Sequence, residues 1–172
     1  MTERGGAITF LGNPLTLVGP ELKVGELAPD FSALDVDLNP VGLKDLAGHI
    51  LVISVVPSLD TPVCDLQTRR FNAEAAALGP QVRIITLSMD LPFAQKRWCG
   101  AAEVECVTIL SDHREASFGL AYGLLIKELR LLARAVVVVD QKGRIAYFQL
   151  VKEVSQEPDH EAAMRAVKAL AA

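Results

Sequence analysis

The sequence lacks the features that several classes of protein require. No apolar run approaches the eighteen or so residues needed to cross a bilayer, although 51% of the 172 residues are hydrophobic and the mean hydropathy is +0.30. The 17 lysines and arginines are scattered and the formal net charge is −4, which argues against nucleic acid as a main partner. Residues 1–6 have no apolar segment or cleavage site of a secretory signal. We therefore expect a soluble, cytoplasmic protein without membrane or nucleic-acid partners.

Cysteine is also scarce, and its pattern limits the possible chemistry. Cys64, Cys99 and Cys106 form no Cys-x-x-Cys pair, and none of the three histidines lies at metal-site spacing from them. An odd number of cysteines without an export signal argues against a structural disulfide framework. The pattern favours catalytic or redox use of cysteine, and we expect no metal or other cofactor.

The order of the predicted elements is that of an α/β protein. A length of 172 residues suits one domain with a sizeable core, and we expect residues 1–172 to form it. Two short strands separated by Gly12-Asn13-Pro14 predict an N-terminal β-hairpin. After a half-exposed strand over 34–38, apolar strands alternate with helical spacing, which indicates an α/β sandwich. Strands are predicted at 50–56, 82–88, 107–110, 135–139 and 144–151, and helices from Cys64 onward and at 93–99, 115–122 and 158–170.

Cys64 lies where a thiolate is favoured. Residues 50–56 form an almost continuous apolar run, typical of a strand buried on both faces. Apolar residues at roughly helical spacing, among them Leu66 and Phe71, follow up to Gly79-Pro80. Cys64 is thus at a strand-to-helix junction, where unpaired N–H groups and the positive end of the helix dipole favour thiolate over thiol. The alternative is that Cys64 is a small buried side chain.

The segment around this cysteine resembles a known active-site motif. Residues 57–64 read Pro-Ser-Leu-Asp-Thr-Pro-Val-Cys, which is similar to the Pro-x-x-x-Thr-x-x-Cys motif of the peroxiredoxins in the form found in the bacterial thiol peroxidases, the atypical two-cysteine branch. The N-terminal hairpin and Ala-Pro-Asp-Phe at 28–31 are similar to the same family, so that the resemblance covers almost the whole chain. It implies a thioredoxin-like fold, with a central mixed β-sheet flanked by helices and an N-terminal β-hairpin, and it implies a homodimer.

The resemblance also assigns roles to the cysteines. Cys64 would be the peroxidatic nucleophile. Cys99, between Trp98 and Gly100 near the end of a predicted helix, would be the resolving cysteine. Without the resemblance, Cys99 would be interpreted as a packed helix residue. Cys106 matches no segment of the motif and is expected to be a small core side chain.

Three further residues gain roles in the same way. Arg134, just before a buried strand, would hold the thiolate and a peroxide oxygen together with its permanently charged, planar guanidinium. Thr61 would hydrogen-bond to bound peroxide, and Pro57 would shield the site from water. From the residues alone, Thr61 could equally be a helix cap. Other arginines would be equal candidates, namely Arg69, Arg70 and Arg130.

The implied reaction is a thiol-dependent peroxidase cycle. The Cys64 thiolate attacks a peroxide oxygen, Cys64 becomes a sulfenic acid, and water or an alcohol is released. Cys99 then forms an intramolecular disulfide with it. The resemblance implies hydrogen peroxide and alkyl hydroperoxides as substrates of this antioxidant enzyme, and thioredoxin as its reductant. A redox sensor or binding module could use the same cysteines, but it would need to be oxidised only once.

One position departs from the family pattern. Asp65 follows Cys64 where small hydroxyl residues or alanine are more usual. A carboxylate that faced the sulfur would oppose the thiolate. We expect Asp65 to point to solvent.

Overall fold

The computed structural model describes residues 1–75, 77–103 and 107–172, and these form two β-sheets with flanking helices. In chain order the strands are β1 (Glu3–Phe10), β2 (Asn13–Val18), β3 (Ser32–Leu34), β4 (Pro40–Gly42), β5 (Ile50–Val55), β6 (Val82–Ser88), β7 (Val107–Ser111), β8 (Leu125–Ile126), β9 (Leu131–Leu132), β10 (Ala135–Val139) and β11 (Ile145–Leu150). The α-helices are α1 (Pro62–Ala75), α2 (Pro92–Ala102), α3 (Ser117–Ala121) and α4 (His160–Ala171), and a short 3-10 helix covers Leu43–Leu46.

The larger sheet has the strand order β11-β10-β5-β6-β7-β3-β4. Strands β5, β6 and β7 run parallel, whereas β10 pairs antiparallel with both β5 and β11. The smaller sheet joins the N-terminal hairpin, β1 and β2, to the short strands β8 and β9. The predicted thioredoxin-like architecture, a mixed sheet flanked by helices with an N-terminal β-hairpin, is confirmed.

Strand β5 is buried on both faces, as its continuous apolar sequence predicts. Leu51 and Ile53 belong to an apolar cluster that also contains side chains of the hairpin and of α3. Ile50 and Val52 belong to a second cluster, formed with side chains of α1 and α4. Because successive strand residues point to opposite faces, β5 lies between two packed layers. The chain that leaves its C-terminal end is therefore held from both sides.

The buried face of α1 differs from the predicted one. The spacing of apolar residues indicated Leu66, but its side chain is 51% exposed. Phe71 is buried as predicted, and it shares the buried face with Cys64, Gln67 and Thr68. These four residues lie at i, i+3, i+4 and i+7 on a single helical face. Hydrophobicity did not indicate this face because two of the four side chains are polar.

Residues 34–38 do not form the predicted half-exposed strand. Leu34 is the last residue of β3, and residues 35–39 connect β3 to β4 in a turn. In this turn the Asp35 carboxylate accepts hydrogen bonds from the backbone N–H groups of Asp37 and Asn39, both at 2.9 Å. Leu38 adopts a left-handed conformation with φ of 69°. Local side-chain-to-backbone bonds of this kind compete with strand pairing.

Two boundaries of secondary-structure elements also differ from the predicted ones. The hairpin turns at Leu11 and Gly12, with φ values of 51° and 82°, so that Asn13 and Pro14 belong to β2. Helix α2 continues past Gly100 to Ala102, because a glycine within a helix costs only about 1 kcal/mol.

The described ranges contain no helix that is long and apolar enough to span a membrane. Cys106, which we expected in the core, lies outside the described residues.

Candidate active site

The site is built where the chain passes from β5 into α1. Val56 and Pro57, which follow the strand, are buried, and α1 begins at Pro62, a residue whose fixed φ suits the first helical position. The Thr61 carbonyl accepts the hydrogen bond from the Asp65 N–H at 2.9 Å. Cys64 is therefore in the first helical turn, at the predicted strand-to-helix junction.

Asp90, which follows β6, anchors the loop between β5 and α1. Its carboxylate accepts hydrogen bonds from the Ser58 hydroxyl at 2.7 Å and from the Leu59 backbone N–H at 2.8 Å. The Ser88 hydroxyl donates to the same carboxylate at 2.8 Å. The loop that carries the motif is thus tied to the neighbouring parallel strand of the sheet.

The Cys64 sulfur lies beside a guanidinium in the interior. Both Cys64 and Arg134 are buried, with exposed fractions of 0% and 2%. Nη2 of Arg134 donates a hydrogen bond to Sγ of Cys64 at 3.1 Å. Arg134 immediately precedes the buried strand β10, which pairs with β5, so that neighbouring strands bring the two side chains together across 70 positions of sequence.

Two buried groups besides Cys64 fix the orientation of Arg134. Its Nε donates to the Val154 carbonyl at 2.8 Å, and its Nη1 donates to Oε1 of Gln67 at 2.9 Å. The Gln67 side-chain amide in turn donates to the Ser54 hydroxyl of β5 at 2.7 Å. Sequence reasoning missed Gln67, although its position three residues after Cys64 places both on one helical face.

The charge of Arg134 has an unusual environment. Among the described residues, no carboxylate lies within ion-pair distance of this buried guanidinium. A buried cation needs a compensating anion or a dense set of hydrogen bonds. A thiolate at Cys64 would be that anion. The Cys64 sulfur is the group that Arg134 contacts in place of a carboxylate.

Thr61 and Pro57 share a pocket with Arg134. The pocket has a volume of about 320 Å³. The Thr61 hydroxyl donates to the Ser58 carbonyl at 3.0 Å, so Thr61 begins the helix with its carbonyl and directs its side chain into the preceding loop. The rest of the lining is mainly apolar and includes Phe10, Leu11, Val63, Ile126, Leu129 and Leu131. Three of the predicted site residues therefore line one mainly apolar pocket, and Cys64 contacts one of them, Arg134.

Cys99 is in a different setting. It lies on α2 and packs, with Trp98, against the apolar cluster that contains Cys64. Cys64 and Cys99 are both free thiols. Partial burial raises the pKa of the Cys99 thiol, while a backbone hydrogen bond acts in the opposite direction. Cys99 is therefore held as a thiol while Cys64 has the cationic partner.

Asp65 does not simply point to solvent as expected. Its carboxylate accepts a hydrogen bond from the Trp98 indole N–H at 2.8 Å. Nε of Arg69, one turn later in α1, donates to both carboxylate oxygens at 3.0 and 2.9 Å. Asp65 therefore faces α2, and its charge is paired.

The other candidate arginines lie elsewhere. Arg70 pairs with Glu74 on the exposed side of α1, at 3.6 Å. Arg130 precedes β9 and has a positive φ of 54°. In the part of the chain that the structure describes, no three side chains of the metal-binding types gather as a site for an ion.

Known proteins resemble this chain closely over most of its length. The family model described as Redoxin matches residues 23–164. A thiol peroxidase of Bacillus subtilis (strain 168) is 55% identical over 163 residues, which cover 95% of this chain and 97% of the relative. A thiol peroxidase of Halalkalibacterium halodurans is 56% identical over 163 residues, 95% of this chain and 98% of that protein. The crystal structure of a peroxiredoxin-like protein from Aquifex aeolicus superposes with a TM-score of 0.90 at 43% identity, covering 96% of this chain and 97% of the other.

Proposed function

We propose, on the premise that this chain belongs to the Redoxin family and is a thiol peroxidase, that Cys64 is the residue that attacks the peroxide. The observation that carries this assignment is the hydrogen bond of 3.1 Å from Arg134 to the Cys64 sulfur. A thiolate in the first turn of a helix and beside a buried guanidinium is stabilised twice.

The first step breaks the peroxide O–O bond. The Cys64 thiolate forms a bond to one oxygen and becomes a sulfenic acid, and the other oxygen leaves as water or an alcohol after it takes up a proton. Negative charge develops on the departing oxygen, and Arg134 has N–H groups to stabilise it there. The Thr61 hydroxyl, one turn before Cys64, exchanges its bond to the Ser58 carbonyl for one to the bound peroxide.

The second step forms a disulfide. The Cys99 sulfur attacks the Cys64 sulfenic acid, the S–O bond breaks, and water is released. Position supports Cys99 for this role, because it packs against the apolar cluster that contains Cys64. A thioredoxin-type reductant would then restore both thiols.

The pocket supports organic hydroperoxides as well as hydrogen peroxide as substrates. Pro57 closes one side of it, and most of its other lining side chains are apolar. An alkyl group in this pocket removes apolar surface from water, which favours binding by about 25 cal/mol per Å². Hydrogen peroxide would use only the polar end, at Thr61 and Arg134.

We further propose that two copies associate and that the protein works in the cytoplasm. Phe10, Leu11 and Leu129 surround the pocket and are 41%, 70% and 44% exposed, so a second copy that covered them would bury apolar surface. A reducing compartment is supported by the proposed cycle, in which both cysteines must return to thiols after every turnover. Sedimentation of the protein, with a Leu11→Asp variant for comparison, tests the association.

Turnover tests the proposed function. The protein is mixed with a peroxide, thioredoxin, thioredoxin reductase and NADPH, and NADPH consumption is followed. We expect many peroxides to be reduced per chain, no turnover in Cys64→Ser, and a single oxidation without sustained turnover in Cys99→Ser. If NADPH consumption by the unmodified protein stops after one equivalent per chain, a redox sensor is favoured instead.

A further inference from the structure

The residues next to the two cysteines contact each other. Asp65, which follows Cys64, accepts a hydrogen bond from Trp98, which precedes Cys99. Arg69 completes the contact, because it pairs with Asp65 at 2.9 Å and its guanidinium carbon lies 5.7 Å from the centre of the Trp98 ring. We call this set of Asp65, Arg69 and Trp98 the α1–α2 clamp. It joins the first turn of α1 to the part of α2 that carries Cys99.

The directions of the side chains oppose disulfide formation while the clamp is closed. Consecutive residues of an α-helix point about 100° apart. Cys64 points inward to Arg134, and Asp65 points to α2. Cys64 is fully buried with its sulfur beside Arg134, and rotation or unwinding of the first turn of α1 would bring that sulfur toward Cys99. That movement carries Asp65 away from Trp98.

We propose that the α1–α2 clamp holds the helices in the arrangement of the reduced enzyme, and that its opening sets the rate at which the disulfide forms. This inference rests on the proposed function. The step it controls is the reaction of the Cys64 sulfenic acid with the Cys99 thiol, in which the S–O bond breaks, the S–S bond forms, and the thiol proton leaves with the hydroxyl group as water. Asp65, Arg69 and Trp98 are positioning residues, because none of them forms or breaks a bond in this step.

The clamp also determines how long the sulfenic acid persists. While it is closed, a second peroxide can transfer an oxygen atom to the sulfenic acid, which becomes a sulfinic acid as the peroxide is reduced to water or an alcohol. Disulfide formation does not depend on peroxide concentration, whereas this second oxidation does. A tight clamp therefore makes the enzyme more sensitive to high peroxide.

Three variants and a control test the clamp in the full-length protein. Asp65→Ala removes the acceptor, Trp98→Phe removes the donor and keeps a ring, and the double variant removes both. Glu74→Gln is the control, because it removes the other i,i+4 ion pair of α1, with Arg70, at a position nine residues after Asp65. Each reduced protein is mixed with peroxide, quenched with acid, treated with a thiol-blocking reagent, and analysed by mass spectrometry.

We expect the disulfide to form roughly 3- to 10-fold faster in each single variant, the effect of losing one partly exposed hydrogen bond to a charged group. The double variant should be no faster than Asp65→Ala, since both changes open the same contact. Sulfenic acid formation should stay within about twofold in Trp98→Phe, which keeps every charge of the site. The reduction potential of the Cys64–Cys99 disulfide should fall by about 15 to 30 mV, which is the same 3- to 10-fold factor expressed for a two-electron couple.

Two results would overturn the inference separately from the proposed function. The first is that Asp65→Ala and Trp98→Phe form the disulfide no faster than the unmodified protein. That result would show that the clamp does not oppose disulfide formation. An equal acceleration in Glu74→Gln would assign the effect to general loosening of α1. Failure of the unmodified protein to form a Cys64–Cys99 disulfide at all would instead contradict the proposed function, and the inference with it.

Discussion

Arg134 and Gln67 form a buried hydrogen bond of 2.9 Å that directs the guanidinium toward the Cys64 sulfur. Gln67 is a neutral partner, so that the positive charge of Arg134 is left for the thiolate. This arrangement differs from an ordinary buried ion pair, in which a carboxylate would neutralise the arginine. Gln67 and Cys64 therefore share the same guanidinium, and neither is a carboxylate.

Replacement of Arg134 by glutamine should greatly reduce the reactivity of Cys64. The variant loses both the cation beside the thiolate and the donor to the departing oxygen, and the expected fall in the second-order rate constant for peroxide is about 100- to 1000-fold. Stopped-flow measurement of sulfenic acid formation provides the test. Arg130→Gln is the control and should react normally. A fall of less than about fivefold in Arg134→Gln would contradict the role given to the guanidinium.

Gln67→Glu should slow the same reaction without unfolding the protein. The carboxylate would accept the hydrogen bond from Arg134 and also neutralise its charge, so that the Cys64 thiolate is less stabilised. A neighbouring charge changes the ionisation equilibrium of a group by about tenfold or more. We expect a loss of that size in the rate of peroxide attack at pH 7. The rate should recover as the pH is raised. An unchanged rate would show that the neutrality of residue 67 is unimportant.

Removal of Asp90 should disorder the loop that carries the motif. In Asp90→Ala the Ser58 hydroxyl and the Leu59 N–H lose their acceptor, and we expect a loss of about 1–3 kcal/mol in the free energy of unfolding. Misplacement of the loop should lower the rate of peroxide attack by about 10- to 100-fold. Asp60→Ala, at an exposed position in the same loop, is the control. Normal kinetics in Asp90→Ala would contradict the anchoring role.

The apolar pocket should distinguish between peroxides. Leu129, at its rim, is 44% exposed, so that Leu129→Glu is compatible with folding. We expect kcat/KM for cumene hydroperoxide to fall by about fivefold, because the charge interferes with burial of the apolar group, and kcat/KM for hydrogen peroxide to change little. Val24→Glu, at another exposed apolar position, should leave both unchanged. Equal losses for both substrates in Leu129→Glu would argue against substrate binding in this pocket.

His160 should make the stability depend on pH. Its ring is 2% exposed and lies 4.7 Å from the ring of Phe71, and burial, followed by the charge of Arg70, lowers its pKa below the ordinary 6.5, although Glu157 and Asp159 act in the opposite direction. The unfolded chain then binds the proton more readily, so the contribution of His160 is complete above pH 6.5 and is lost as the pH falls. The loss is at most about 1.4 kcal/mol for each pH unit.

Denaturant unfolding of the unmodified protein and of His160→Leu at pH 7.5, 6.5 and 5.5 measures this dependence. The comparison cancels other titrating groups, including Asp112, whose pKa burial raises. We expect the free energy of unfolding of the unmodified protein, taken relative to that of His160→Leu, to decrease from pH 7.5 to pH 5.5. A constant difference would show that His160 is not the group responsible.

The sequence was sufficient for the parts of the fold and site that depend on local patterns. The apolar run of β5 and the motif that ends at Cys64 predicted a strand-to-helix junction, and the structure has one. Arg134 could be selected only through family resemblance, because isolated arginines are alike in sequence. Gln67 was missed because a polar residue after a cysteine has no pattern that distinguishes it from a surface residue.

Contacts between distant segments account for most of the remaining differences. Asp65 was expected in solvent, since its partner Trp98 is 33 positions away and only the packing of α2 against α1 brings them together. Leu66 was placed on the buried face because it is apolar, but the helix buries polar residues that serve the site. The roles of Cys64, Cys99, Thr61, Pro57 and Arg134 stay predictions, as does the single domain over residues 1–172.

One measurement tests the central claim, that Cys64 attacks peroxide and Cys99 resolves the product. The reduced protein is treated with one equivalent of peroxide, remaining thiols are blocked, and the cysteines are mapped by peptide mass spectrometry. We predict a disulfide between Cys64 and Cys99, with Cys106 blocked as a free thiol. Cys64 found as a sulfinic acid with Cys99 free would contradict the resolving role, and three blocked thiols would contradict the attack by Cys64 itself.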